Sequence, residues 1–139
     1  MELNIIIEQL NSIISKENWL DMEVQNLSGG VLVVAGSTDF TYGHSLEIEF
    51  HDVFYMSLNM EWKTDTSKPV FHNLDYNESL SLNSKFQIEK GFSIVKIIAE
   101  DFSEPFYVAA KSLFFNTDKV YYYHKDNLGP NERIASWVK

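Results

Sequence analysis

Between Ser45 and His51, polar and apolar residues alternate without a break. Leu46, Ile48 and Phe50 fall on one side; Ser45, Glu47, Glu49 and His51 fall on the other. A period of two belongs to a strand with one face in a core and one face in water. This stretch commits the chain to a sheet covered on one side, and so to a second layer that covers it.

The N-terminus supplies a candidate for that layer. Leu3, Ile6, Ile7, Leu10, Ile13 and Ile14 recur at helical spacing, with Asn4, Glu8, Asn11 and Ser15 opposite and only Ile5 out of place. The spacing predicts an amphipathic helix of about four turns, packed by one face. Its polar face has no arginine and only Lys16 at its end, which does not suit a membrane surface.

Beyond Asn18 the period shortens. Met22, Val24 and Leu27, then Ser28-Gly29-Gly30 and Val31 to Ala35, predict a hairpin turning at the glycines. A bulge or bend is expected at His51-Asp52, with Val53 to Leu58 continuing the alternating strand. Residues 61–78 are polar and hold Pro69, and read mainly as loop with an extended piece near Val70-Phe71. Leu80, Leu82, Phe86 and Ile88 read as short strands. Phe92 to Ala99 is apolar on both faces and reads as a central strand, with Phe106–Phe115 and Val120–His124 completing an antiparallel meander. Ile134, Trp137 and Val138 are read as a short apolar face or a last strand. These elements predict one domain over residues 1–139. Its class is α+β: an N-terminal amphipathic helix on a curved, mainly antiparallel sheet of about six to eight strands, open or partly closed into a barrel.

Composition narrows the function. The hydrophobic share of 45% and aromatic share of 14% place the chain among folded domains rather than disordered ones. With no cysteine, disulfides and thiolate chemistry are excluded. The net charge is −9 and unevenly placed: residues 1–69 carry a balance of −8, residues 70–139 a balance of −1. Arg133 is the only arginine. Nucleic acid and anionic lipid need clustered Lys and Arg, so neither is an expected partner; a basic protein is. Met1-Glu2-Leu3-Asn4 has no positive n-region, and no run of about 18 apolar residues occurs, so a cytoplasmic protein is expected.

No glycine-flanked serine, phosphate loop or dinucleotide-binding glycine pattern is present, so no catalytic, cofactor or metal residue is assigned. Glu47, Glu49 and His51 share one strand face near His44 and Asp52. Carboxylates with imidazole suit zinc, but only if neighbouring strands add ligands; a solvated outer sheet face, where Glu is common, is the preferred account of them. Asp21 and Glu23 share another strand face. Trp62, in a polar stretch with Glu61, Lys63 and Asp65, is a candidate partner anchor, or a residue tucking its loop onto the sheet. Tyr121, Tyr122 and Tyr123 include at least one ring near the surface. The candidate interaction surface is therefore Glu47, Glu49, His51 and Trp62.

Two stretches, His44-Ser45-Leu46-Glu47-Ile48-Glu49-Phe50-His51-Asp52-Val53 and the part from Phe106 to Val138, resemble small acidic bacterial proteins of unknown function, including immunity proteins of polymorphic toxin systems. The resemblance implies a bacterial cytoplasmic protein that binds and blocks a partner. It carries no site residues. The expected function is thus a protein-binding module, inhibitor- or immunity-like, that recognises a basic partner. The alternative is a small-molecule binder or small enzyme with its site in the concave face of the sheet.

Overall fold

The computed structural model describes residues 2–139. In chain order the elements are α1 (Leu3–Ser15), β1 (Leu20–Ser28), β2 (Val31–Ser37), β3 (Gly43–His44), β4 (Leu46–His51), β5 (Tyr55–Ser57), β6 (Glu61–Thr64) and β7 (Phe71–Asn73). Then follow α2 (Tyr76–Phe86), β8 (Ser93–Ile97), β9 (Phe106–Ala110), β10 (Ser112–Asn116), β11 (Lys119–Tyr121) and β12 (Glu132–Ile134). The fold is α+β and mostly antiparallel, with the expected helix at the N-terminus. The strands form three sheets rather than one: β10-β4-β2-β1-β6, β5-β9-β8-β7, and a small β12-β11-β3 in which β11 and β12 run parallel. No closed barrel forms among the described residues.

A bend connects the two larger sheets. Asp52 takes φ 56°, and the chain leaves β4 in one sheet to enter β5 in the other. Its partner turns at Lys111, between β9 and β10. His51 lies opposite Ser112 and Tyr55 opposite Ala109, so four steps on one chain match three on the other. That mismatch is a β-bulge, which bends the ribbon where it occurs. The Lys111 amide donates to the His51 carbonyl (3.0 Å) and the Phe54 amide to the Ala109 carbonyl (2.8 Å), so pairing is restored on both sides of the bend. The hairpin of β1 and β2 turns at Gly29 and Gly30, at φ 58° and 79°, as the strand twist demands.

The bend leaves a wedge between the sheets, and α1 packs into it. Ile6, Ile7, Leu10 and Ile14 pack into one core with Leu32, Ile48, Phe50 and Leu113 from the first sheet and Val95, Ile97 and Val108 from the second. Asn11 was expected on the polar side of the helix. It is half-buried instead: its Nδ2 donates to the Phe71 carbonyl (2.9 Å) and its Oδ1 accepts from the Val70 and Phe71 amides (3.1 and 2.9 Å). β7 is an end strand, so this one amide stands in for a missing neighbour.

Four expectations need correction. Residues 76–86 form α2, not strands, because the Asp75 side chain caps the Glu78 amide (2.8 Å), with Glu78 in the first turn and Lys85 in the last. The helix lies on the outer face of the second sheet, where Leu82, Phe86 and Ile88 meet Tyr55, Ile94 and Ala109. Residues 61–64 form β6 rather than loop, since Glu61, Trp62, Lys63 and Thr64 alternate exposed and buried against β1. Phe106–Phe115 is two strands in two sheets, because it is half of the bent ribbon. The expected meander stops at β8 and β9, because β11 pairs with β3 and β12. No helix among the described residues is long and apolar enough to cross a membrane.

Replacing Asn11 by Ala leaves two amides and a carbonyl of the β7 edge without partners. Urea denaturation is expected to show a loss of about 2 kcal/mol. Asn11→Asp keeps the acceptor and should lose less; equal loss in both variants would show that the donor bond alone matters.

Candidate functional site

The structure separates the four residues read as one surface. Glu47, Glu49 and His51 do share the outer face of β4, but only Glu49 and His51 remain open, paired at 3.1 Å with Phe114 edge-on to the imidazole. Trp62 points into the core on β6, is only 2% exposed and packs against Phe106, so it is not a surface anchor. Glu47 is covered by the C-terminal sheet. His44 Nε2 donates to its Oε2 (2.7 Å), Asn116 Nδ2 donates to its Oε1 (3.2 Å), and the Arg133 guanidinium reaches the same oxygen. His44 Nδ1 lies 2.6 Å from the Tyr122 hydroxyl, which donates to it when the imidazole is neutral. Arg133 Nε also approaches Asp118 at 3.6 Å.

This network ties β3, β11 and β12 onto the outer face of β2 and β4. The hydrogen bond from His44, then those from Asn116 and the charge of Arg133, hold the Glu47 carboxyl down at about 2 against the opposing effect of burial. Burial, with the charges of Glu23 and Glu47 nearby, pushes the Tyr122 phenol up to about 12. The cluster is self-satisfied, and its carboxylate is already neutralised. That makes it a clasp, not a reactive centre. No three His, Asp or Glu side chains among the described residues converge to hold a metal ion.

A different place has the opposite character. An open groove of about 900 Å³ runs along β1 and β6, walled by the segments around Trp19, Thr38–Thr41, Met60 and Asp101–Phe102. Asp21, Glu23, Asp39, Glu61 and Asp101 line it, against one cation, Lys63. Every ion pair among the described residues lies elsewhere. Glu23 on β1 stands opposite Glu61 on β6. Burial first, and the Glu61 charge in addition, raise the Glu23 carboxyl above its ordinary value, although Gln25 Nε2 donates to it at 2.7 Å. Asp39 and Asp101 are held by backbone amides: Asp39 Oδ1 accepts from Thr41 (2.9 Å) and Asp101 Oδ1 from Lys63 (3.0 Å).

Apolar groups share the groove. Trp19 is 61% exposed and Met60 69%, beside Phe40 and Phe102. The Trp19 indole is tethered at one end, where Nε1 donates to the Thr38 carbonyl (2.9 Å). Sequence reasoning placed Asp21 and Glu23 on one strand face. It missed Trp19, Asp39, Glu61 and Asp101, which come from four separate segments that only the fold assembles. Comparison with family models, curated proteins and solved structures finds no match.

The clasp makes stability depend on pH. Glu47 titrates near 4.5 when unfolded and at about 2 when folded, so its contribution is complete above 4.5 and is lost as pH falls towards 2. Unfolding by urea across that range should show a loss of about 2 kcal/mol attributable to this group. Glu47→Gln should be less stable at neutral pH and should flatten the acid limb of the profile; an unchanged limb would assign it to other carboxylates.

Proposed function

We propose that this protein is a binding module that receives a basic segment of a partner protein in the groove along β1 and β6. The observation that carries this reading is a concave, aromatic-walled site with five carboxylates and no ion pair. Five carboxylates gathered around a single lysine, Lys63, cost free energy in the unbound protein, and a cationic partner lowers that cost. The surplus of acid in residues 1–69 points the same way: four of the five carboxylates come from that half. An inhibitor- or immunity-like role in the cytoplasm, as the sequence resemblance implies, is the form this reading takes.

The alternative, a small molecule in the concave face of the sheet, has less support. The apolar face of α1 packs between the larger sheets, and the pocket of about 620 Å³ beside it is lined mainly by apolar residues, among them Leu3, Ile6, Phe50, Val95 and Leu113. The buried polar residues are Ser37, His44 and Thr64, and of these only His44 is ionisable.

Panning a displayed library of short random peptides tests the reading. Enriched sequences should carry net positive charge, and their affinity should fall steeply between about 50 and about 500 mM salt. The double variant Asp21→Lys with Glu61→Lys should weaken them at least ~10-fold, because each reversal places a like charge against the ligand. Enrichment of neutral peptides, or affinity indifferent to the double variant, would remove the groove as the recognition element.

A further inference from the structure

We infer that the groove is built to take arginine side chains in preference to lysine. This rests on the reading of the groove as a site for a basic segment, and goes further by naming the group it reads. Charge alone does not distinguish the two cations. The aromatic wall does.

Trp19 lies just before β1, where Leu20 enters the core. An indole left 61% in water would normally sample several rotamers, and its Nε1 bond to the Thr38 carbonyl favours one pose among them. Its only donor is thereby used within the protein. What it offers a ligand is its π face, in a groove that Asp21, Glu23, Asp39, Glu61 and Asp101 also line. Phe102 adds a second exposed ring, steadied by Phe106 at 5.7 Å between centroids. A tethered ring has already lost part of the entropy that binding would otherwise cost.

The carboxylates complete the argument. Asp39 and Asp101 each have Oδ1 engaged by a backbone amide, which orients the carboxyl and leaves its other oxygen for a ligand. Planar guanidinium is weakly hydrated, stacks flat on an indole and forks its donors towards acceptors at the ring's rim. An ammonium is a compact, strongly hydrated point charge that gains less from an aromatic face and cannot serve several separated oxygens in one plane. Carboxylates that do not converge on a point, in a groove shared with exposed aromatic rings, therefore match guanidinium better than ammonium.

The test uses two labelled peptides of equal length and charge, otherwise Gly and Ser, one carrying arginines and one lysines at the same positions. Fluorescence anisotropy at about 150 mM salt measures both. The arginine peptide should bind ~10-fold tighter, Trp19→Ala should reduce it to the level of the lysine peptide, and Trp19→Phe should keep part of the preference. The unfolding midpoint of each variant checks that the fold survives. Equal affinity for the two peptides would overturn the preference while leaving the basic-segment reading standing. A preference that persists in Trp19→Ala would also overturn it, since the indole would then not be its source. No binding of either peptide would overturn both readings.

Discussion

The bulge at Asp52 is the constraint from which the rest of the architecture follows. Without it, β4 with β5 and β9 with β10 would form one straight two-stranded ribbon, and the sheets at its two ends would be one. With it, the ribbon turns, and its halves become edge pairs of two sheets that face each other across a wedge. A wedge lined with Phe50, Val95 and Leu113 presents apolar surface that a second layer must cover. The isoleucine-rich face of α1 supplies that layer and leaves an open pocket of about 620 Å³ beside Leu3 and Ile6. The helix then also seals the β7 edge through Asn11, so the same element that fills the core removes an exposed strand edge.

Charge is distributed over this frame in two ways. Where the C-terminal sheet meets the main one, each charge has a partner: Glu47 holds Arg133 and His44, and Arg133 also approaches Asp118. Neutralised carboxylates under a covering sheet describe a fastening. Along β1 and β6 the carboxylates have no cation beyond Lys63, which makes no ion pair. Glu23 stands between the two regions. It lines the groove, and its charge acts on Tyr122 in the clasp. The groove is thus footed on a rigid part of the molecule, and its floor does not depend on loops alone.

Where the sequence was legible, local pattern and tertiary environment agreed. The alternation of Leu46 to His51, the helical spacing of Leu3 to Ile14, the glycine turn and the bend at Asp52 are all decided by neighbours in the chain. Where it misled, a short pattern had two readings. Leu80 and Leu82 fit a strand, but Asp75 followed by Glu78 three residues later is a helix start, and Leu82 with Phe86 is a helical pair. Trp62 looked exposed because its neighbours are charged. Those charges are the outer half of a period-two pattern whose inner half is Trp62 and Thr64. The acidity of the first half was legible, and with it the expectation of a basic partner. The site was not, because it draws on residues from the start of β1, the loop after β2, β6 and the turn before β9, and nothing in one sequence links them.

The contrast between clasp and groove bears on why the groove is kept at all. A protein of net charge −9 gains stability by pairing acids with its few bases, and Arg133 shows that it does so where two sheets must be held together. Lys63 stands among the groove acids yet pairs with none of them; its backbone amide, not its ammonium, meets Asp101. Burial of Glu23 opposite Glu61 raises the cost of keeping both charged. Selection for stability alone would exchange one of them for a neutral residue, a change a surface strand accepts readily. Unpaired carboxylates at an aromatic-walled concavity are what the proposed basic segment would neutralise.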